Sequence, residues 1–385
     1  MIQDEASEGR RCGSSQTYVE WLRRTMRRAS PDHVQLVGSS FSEPVELLEQ
    51  TLRQGLEDGM LRTYESVFLD GNRTLNGLLA DYYEVGRDRV LSTTGASRAL
   101  SLVYGAFAQP GERVLIERPC HDLFEVLARD RGLVVDNFLR RPDEGFEIDP
   151  EELERNITPQ TRLVVLSNLH NPSGKLLDRK ALALIAEVAD RHSLLVVVDE
   201  VYLGYARDVE KSLWAAGIAD NLITVNSLTK THALSSLRCG WIIAAPEVMA
   251  PLRKYSALHE FGVSKLAHAV VALVLMENER YARHRQRAVA RVKPLFDHYM
   301  GRLADRGLIL PFLPGHGCIY FPVFTGIDNS MEFSRWLEHH KKVVVSPGEC
   351  FGYAGAVRVG MPERIGQLEQ ALEAFCSGVE EYSAG

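Results

Sequence analysis

Between about residues 89 and 246, short runs rich in β-branched residues alternate with longer stretches of helical periodicity. In chain order the runs are RVLSTTG, ERVLIERP, TRLVVLSNL, SLLVVVDEVY, NLITVNSLT and GWIIAAP. Two of the intervening stretches, Ser97 to Phe107 and Arg179 to His192, carry their apolar residues at helical spacing. This alternation predicts an α/β fold with a mostly parallel sheet and helices on both faces. In such sheets ligands bind at the carboxyl ends of the strands.

A long helical pattern follows this region, from about Ser264 to Gly307. Because proline lacks a backbone N–H and its ring clashes with the preceding turn, we expect Pro294 to kink or split the helix. We interpret this stretch as the connection to a second domain, so that a large domain covers residues 45–285.

The C-terminal region has a different pattern, in which GCIYFPVF and KKVVVSPG are predicted strands and Arg364 to Tyr382 a closing helix. An N-terminal helix around Tyr18 to Arg28 is expected to pack with them. The sequence therefore predicts a smaller α+β domain formed by residues 1–44 and 286–385.

Charge and composition narrow the class of function. The chain has 385 residues, a formal net charge of -7 and a pI of about 6.0, so it has no overall basic field for nucleic acid. No apolar run reaches the roughly 18 residues of a membrane span, and MIQDEASEGRRCG lacks the apolar core of a secretory signal. Six cysteines without a CxxC pair indicate neither a metal site nor a disulfide framework. We therefore expect a cytoplasmic protein that acts on small molecules, with no membrane or nucleic-acid partner.

The segment SLTKTHALSSLRCGW, directly after a predicted strand, contains Lys230 and, eight positions later, Arg238. A lysine amine becomes a good nucleophile when burial and a nearby cation lower its pKa. Arg238 and Ser227 are suited to a phosphate, because a guanidinium binds two oxygens and a hydroxyl donates to a third. The alternative is a surface lysine beside a structural arginine.

Three further motifs follow predicted strands. Asp199 ends an apolar run, where a buried carboxylate needs a cation such as a pyridinium nitrogen, although it could also cap a helix. Asn171 lies in the turn HNPSG. In STTGASRAL, the amides of Gly95, Ala96 and Ser97 meet a helix N-terminus that could bind phosphate.

The order of these motifs resembles that of the fold-type I pyridoxal 5′-phosphate enzymes, in particular the class I and II aminotransferases, from about Tyr18 to Phe375. The resemblance implies this cofactor, held by Lys230 as a Schiff base, and a pyridoxal phosphate-dependent transferase fold of the aspartate aminotransferase type. It also implies cofactor-binding roles for a set of matching residues: phosphate with Gly95, Ala96, Ser97, Ser227 and Arg238, phenolic oxygen with Asn171 and Tyr202, and ring nitrogen with Asp199.

The same resemblance implies a substrate site shared by two subunits. Arg358, in VSPGECFGYAGAVRVG, matches the arginine that binds the substrate α-carboxylate, although it could be an edge-strand surface residue. Gly38 matches a segment that lines the substrate pocket together with Asn171. Tyr64, in RTYESVFLDG, matches a tyrosine that reaches the neighbouring subunit's phosphate, although it could simply be a core residue. A homodimer with shared active sites follows.

One position departs from the family pattern. Where the family usually places an aromatic residue over the cofactor ring, ERPCHDLF offers His121, with Phe124 as the alternative. A histidine can stack but also titrates near neutral pH. Within the superfamily, a stacking histidine is more typical of decarboxylases, acyl-transfer synthases and desulfurases.

The function implied is transfer of an amino group between an amino acid and a 2-oxo acid. His121, and the weak similarity of WLRR, the Ser-rich segment and FLDG to capreomycidine synthases, leave open elimination, replacement or cyclisation of an amino acid instead. A pyridoxal phosphate-sensing transcriptional regulator is a third reading. It needs a DNA-binding domain ahead of this fold, where only about 40 residues stand.

Overall fold

The part of the chain that the structure describes folds around one large sheet and two small ones. The structure is a computed structural model that describes residues 17–28, 30, 32–60, 71–206, 208–260, 262–311, 315–361 and 365–384. Within these residues the strands are β1 (Val34–Gln35), β2 (Val90–Thr93), β3 (Arg113–Arg118), β4 (Val134–Leu139), β5 (Thr161–Ser167), β6 (Leu195–Asp199), β7 (Leu222–Ser227), β8 (Gly240–Ile243), β9 (Ile319–Tyr320), β10 (Val343–Val344), β11 (Ser346–Pro347) and β12 (Val357–Gly360).

Helices cover these sheets. In the described part of the chain the α-helices are α1 (Tyr18–Arg28), α2 (Val45–Glu57), α3 (Arg73–Tyr83), α4 (Ala96–Phe107), α5 (Leu123–Asp130), α6 (Pro150–Arg155), α7 (Arg179–Arg191), α8 (Pro246–His259), α9 (Lys265–Met276), α10 (Asn278–Asp305), α11 (Ser330–Lys341) and α12 (Leu368–Ala384). Not one of these described helices combines the length and the apolar character needed to span a bilayer.

The seven-stranded sheet has the order β2-β8-β7-β6-β5-β3-β4. The run from β7 to β4 is parallel, whereas β8 is antiparallel to both of its neighbours. The six predicted runs are all strands of this sheet, which confirms the α/β prediction, and β4 is a seventh that the pattern did not identify. The register aligns Ser167 with Asp199 and Asp199 with Val225, so the ends of β5, β6 and β7 lie side by side.

Both faces of this sheet are apolar because helices cover both. Val197 packs in the same cluster as Leu100 of α4, while Val196 and Val198 pack with Ile185 of α7. Successive side chains of a strand point to opposite faces, so a strand covered on both sides is apolar throughout. This explains why β6 appears in the sequence as an uninterrupted run ending in Asp199.

A second core lies under the small sheets, which have the orders β11-β12-β9 and β1-β10. Phe296 of α10 and Phe375 of α12 pack there with Val359 of β12. The N-terminal segment joins this core through β1, which pairs in parallel with β10, and through a bridge between Gly38 and Met361. Chain termini far apart in sequence therefore form one unit.

The expected split near Pro294 is wrong in position. The helical stretch breaks at Glu277, between α9 and α10, and α10 continues through Pro294. Proline removes one helical hydrogen bond, but Val292 and Phe296 on either side are buried in the second core. Tertiary packing therefore keeps this helix intact.

Candidate active site

The predicted site residues converge at the carboxyl ends of the parallel strands. One cavity is lined by nine of them: Ala96, Ser97, His121, Asn171, Asp199, Tyr202, Ser227, Lys230 and Arg238. Gly95 adjoins Arg238, Arg358 contacts Asn171, and Gly38 immediately precedes a residue that contacts Lys230. Tyr64 lies outside the described residues. The motifs that were separate in sequence thus form one site.

Lys230 lies in the connection between β7 and β8. Loss of hydration lowers the pKa of Lys230 to about 8, and the positive charge of Arg358 adds to this effect. Its Nζ donates a hydrogen bond to Ser39 Oγ at 2.6 Å and lies 5.8 Å from the centre of the Tyr202 ring. A pKa of about 8 leaves a much larger unprotonated fraction near neutral pH than an ordinary lysine has, and the unprotonated amine is the form that acts as a nucleophile or base.

Asp199 is the last residue of β6. Burial raises its pKa to about 7, against the opposing effect of the Val201 N–H, which donates to Asp199 Oδ1 at 3.0 Å. The following short 3₁₀ helix begins after Tyr202, so Asp199 does not occupy its capping position. A cation placed against this carboxylate would offset the cost of burying its charge.

Asn171 is positioned by a buried hydrogen-bond network that the sequence motifs do not indicate. Its backbone N–H donates to Ser167 Oγ at 3.0 Å, and that hydroxyl donates in turn to Glu117. Glu117 is also paired with Arg140 at 2.8 Å, and both charged side chains are completely buried. Buried charges are tolerated when they are paired and hydrogen-bonded in this way. The network holds the Asn171 amide towards the cavity.

Arg358, in the centre of β12, is 1% exposed. This excludes the surface position considered as an alternative. Its Nη1 donates to Asn171 Oδ1 at 3.1 Å and its Nη2 donates to the hydroxyl of Tyr18, whereas Nε has no partner among the described residues. The guanidinium carbon lies 4.9 Å from the Tyr18 ring centre and 4.7 Å from that of Phe351. The remaining N–H groups are suited to a carboxylate.

The start of α4 lies directly beside Arg238. Gly95 precedes the helix with φ +85°, a left-handed conformation that favours glycine, and it supplies no side-chain cap. A Cβ on Gly95 would lie 2.8 Å from Arg238 Nη2, and a Cβ on Gly240 would lie 2.5 Å from the Gly95 carbonyl carbon. The helix N-terminus and Arg238 therefore approach each other closely, as phosphate binding requires.

His121 and Phe124 both line the cavity, and which of them stacks on a cofactor ring stays a prediction. Burial lowers the pKa of His121, so the imidazole is neutral over most of the physiological range. Its ring meets the Tyr18 ring edge to face, with centroids 5.7 Å apart. A neutral ring is the form suited to stacking.

The residues present fit pyridoxal phosphate on several independent grounds. The Tyr202 hydroxyl is buried close to Ser39, without a hydrogen bond of good geometry among the described residues, and burial raises its pKa. A phenol of this kind can donate to the cofactor's phenolic oxygen. Among the described residues Asp199 forms no ion pair, and Ala96, Ser97 and Arg238 line the same cavity with the N–H and hydroxyl donors that a phosphate requires. These three features match the three polar ends of the cofactor.

Two hydroxyls in the site were not identified from sequence. Tyr18 was expected only as the start of an N-terminal helix, and Ser39 was assigned no role. Both contact predicted residues that are 340 and 191 positions away, respectively. A hydroxyl side chain in a segment of this kind carries no local signal of such a partner.

Comparisons with known proteins agree with this geometry. The family model for aminotransferase class I and II matches residues 45–375. An arginine–pyruvate transaminase from Pseudomonas aeruginosa is 29% identical over 327 residues, which cover 80% of this chain and 81% of that protein. A capreomycidine synthase from Streptomyces vinaceus is 25% identical, with 82% and 81% of the two chains covered.

Solved structures show the same fold. Aspartate aminotransferase from Thermus thermophilus with maleate matches with a TM-score of 0.81 and 23% identity, covering 94% of this chain and 97% of the other. At this identity the similarity establishes the fold alone, which is the aspartate aminotransferase-like fold predicted from the motifs.

Proposed function

The chain belongs to the class I and II aminotransferase family and is a pyridoxal phosphate-dependent transferase. From this premise we propose that it moves an amino group between an amino acid and a 2-oxo acid, with Lys230 as the covalent attachment point of the cofactor. The observation that carries the proposal is the position of Lys230, an amine of lowered pKa in the same cavity as the carboxylate of Asp199 and near Arg358.

Each polar end of the cofactor has a matching set of residues. Asp199 would pair with the ring nitrogen, and its negative charge would keep that nitrogen protonated. Asn171 and Tyr202 bind the phenolic oxygen. The phosphate is bound by residues that share an N–H, hydroxyl or guanidinium donor: Gly95, Ala96, Ser97, Ser227 and Arg238.

The substrate is held by Arg358, whose guanidinium binds the α-carboxylate, with Asn171 beside it and Gly38 at the pocket wall. When bound, pyridoxal phosphate acts as an electron sink that makes the substrate Cα proton acidic. The Nζ of Lys230 accepts that proton, which requires the unprotonated amine that a pKa of about 8 makes accessible. His121 contributes an uncharged aromatic surface at the cavity wall.

The proposal extends to a cytoplasmic homodimer with shared sites, in which Tyr64 of each subunit reaches the other subunit's phosphate. Leu56 of α2, Leu258 of α8 and Leu266 of α9 are each more than half exposed, so apolar side chains are available for contact with a second subunit. The proposal also includes a large domain of residues 45–285 and a small domain of residues 1–44 and 286–385. The seven-stranded sheet lies within residues 45–285, which supports this division.

The proposal is tested by mixing the purified holoenzyme with single amino acids, with and without a 2-oxo acid. Arginine with pyruvate is the first pair to assay, because a relative is an arginine–pyruvate transaminase. We expect the cofactor absorption to change with the amino acid alone, and sustained turnover only when a 2-oxo acid is added. Absence of cofactor absorption in the purified protein would contradict the proposal.

The second candidate function is elimination, replacement or cyclisation of one amino acid. It is favoured by His121 at the cavity wall and by the similarity to a capreomycidine synthase. Such an enzyme would turn over continuously without a 2-oxo acid. The same assay therefore separates the two reactions.

A further inference from the structure

Tyr18 occupies an unusual position for the first residue of a helix. It is 6% exposed, its hydroxyl accepts a hydrogen bond from Arg358 Nη2, and its ring lies 4.9 Å from the Arg358 guanidinium carbon. We propose that Tyr18 is a substrate-binding residue that donates a hydrogen bond from its phenol to the same carboxylate that Arg358 binds. This inference rests on the proposed role of Arg358.

The hydrogen-bond inventory of Arg358 supports the assignment. A guanidinium has five N–H groups. Asn171 takes one from Nη1 and Tyr18 takes one from Nη2, while Nε has no partner among the described residues. N–H groups therefore remain for a carboxylate beside the Tyr18 oxygen, and a ligand bound there would lie within the reach of both side chains.

The O–H group of Tyr18 is available to donate a hydrogen bond. Arg358 is the only described partner of the Tyr18 hydroxyl, and there the Tyr18 oxygen is the acceptor. A phenol is both donor and acceptor, so its O–H proton is not committed by this contact. A hydrogen bond from a phenol to a carboxylate is charge-assisted and stronger than one between neutral groups.

Tyr18 is held in place before any ligand binds. Its backbone N–H, at the start of α1, donates to Asp122 Oδ2 at 2.5 Å. Its ring also contacts Phe351 at a centroid distance of 5.6 Å and His121 edge to face at 5.7 Å. Binding of a ligand would then require little ordering of this side chain, so most of the hydrogen-bond energy would appear as affinity.

The predicted ligand preference follows from this chemistry. Amino acids and 2-oxo acids both present a carboxylate at this position, whereas simple amines do not. Tyr18 should therefore increase affinity for both substrates of the reaction equally, without taking part in proton transfer at Lys230.

The test uses Tyr18→Phe, which keeps the ring and removes only the hydroxyl. The matched control is Tyr353→Phe, because the Tyr353 ring contacts Phe321 rather than Arg358. Equilibrium binding of propionate to each holoenzyme is measured by calorimetry, with neutral propionamide as the reference ligand. We expect propionate to bind about tenfold more weakly to Tyr18→Phe, in line with a hydrogen bond to a charged group, and propionamide to be unaffected.

Steady-state kinetics give the second readout. The KM for the amino acid and the KM for the 2-oxo acid should each rise about tenfold in Tyr18→Phe. The value of kcat should stay within about threefold, as expected when an interaction contributes equally to substrate and transition-state binding. If Tyr18→Phe folds poorly, Tyr18→Leu, which also has no side-chain hydrogen-bond donor, should give the same result.

Arg358→Gln separates failure of this inference from failure of the proposed function. Unchanged propionate affinity in Tyr18→Phe, together with a large loss in Arg358→Gln, would overturn the role of Tyr18 alone. Unchanged affinity in both variants would overturn the proposed carboxylate site itself. Equal weakening of propionate and propionamide in Tyr18→Phe would show a purely structural role.

Discussion

The strand ends of the large sheet and the N-terminal segment, residues 17–41, meet at Lys230 but contribute different chemistry. The strand ends supply buried ionisable groups, with the pKa of Asp199 raised and that of Lys230 lowered. The N-terminal segment supplies hydroxyls, from Tyr18 and Ser39, and a close backbone contact at Gly38. The ionisable groups thus lie at the strand ends, while the N-terminal segment supplies the hydrogen bonds that orient the side chains of Lys230 and Arg358.

This division leads to a general expectation. Substitutions at the strand ends should change rates and pH dependence, whereas substitutions in the N-terminal segment should change affinity, stability and alignment by smaller amounts. The variants below are arranged to break or sharpen this contrast.

The largest effect is expected from Lys230→Ala. Loss of the group that attaches the cofactor and accepts the Cα proton should lower kcat by about 10⁴-fold or more. The measurement is single-turnover conversion of an amino acid by the reconstituted protein. Lys211→Ala is the control, because Lys211 is exposed, pairs with Glu84 at 3.0 Å and does not line the cavity. Residual activity within tenfold of wild type would contradict the expectation that substitutions at the strand ends have the largest effect on rate.

Asp199→Asn should lower kcat/KM by about 10²-fold to 10³-fold, because an amide cannot match the charge on the ring nitrogen. In the cofactor-free protein, by contrast, we expect Asp199→Asn to increase the free energy of unfolding. Burial raises the pKa of Asp199 from an ordinary value near 4 to about 7, so ionisation disfavours the folded state. Wild-type stability from this group is greatest below pH 4 and is lost as pH rises to about 7.

The stability advantage of Asp199→Asn over wild type should therefore grow between pH 4 and pH 7 and then level off. Urea unfolding of both cofactor-free proteins across this range measures it. If the difference in unfolding free energy between the two proteins did not vary with pH, the pKa of Asp199 would not be raised in the folded state.

Gly38→Ala tests the backbone contact. A Cβ at Gly38 would overlap the carbonyl oxygen of Met361, so the bridge between the segment and β12 would have to open. We expect a loss of about 1 to 3 kcal/mol in the free energy of unfolding, typical of overpacking. Gly217→Ala, where a Cβ meets nothing within 4 Å, is the control for thermal unfolding. Equal melting temperatures for the two variants would argue against a tight contact.

The smallest effect is expected from Ser39→Ala. Loss of the 2.6 Å hydrogen bond from Lys230 should misalign the amine and lower kcat about fivefold, with KM unchanged. Ser40→Ala provides the matched control, and Ser39→Thr should restore most of the rate. A loss of similar size in Ser40→Ala would assign the effect to the segment rather than to the hydroxyl.

The same contrast explains what the sequence could predict. Asp199, Asn171 and Lys230 each follow a β-branched run, and parallel topology brings the ends of neighbouring strands together. Their convergence was therefore predictable once the runs were recognised as strands. The resemblance to a known family added Arg358, whose burial no local pattern indicates.

The rest depends on long-range pairing. Ser39 reaches Lys230 because β1 pairs with β10, and Tyr18 reaches Arg358 because it packs against Phe351. Neither partner is indicated by residues nearby in sequence. The continuation of α10 through Pro294 also escaped prediction, because burial of Val292 and Phe296 overrides the effect of the proline. Contacts fixed by packing between distant segments were thus the part that periodicity and motifs could not provide.

The attachment of the cofactor to Lys230 is the central claim, and borohydride reduction tests it most directly. The purified holoenzyme is reduced, digested and mapped by mass spectrometry. We predict one phosphopyridoxyl group, located on the Lys230 side chain within the segment between Ser227 and Arg238. A reduced adduct on a different lysine, or none in a protein that shows cofactor absorption, would contradict the account.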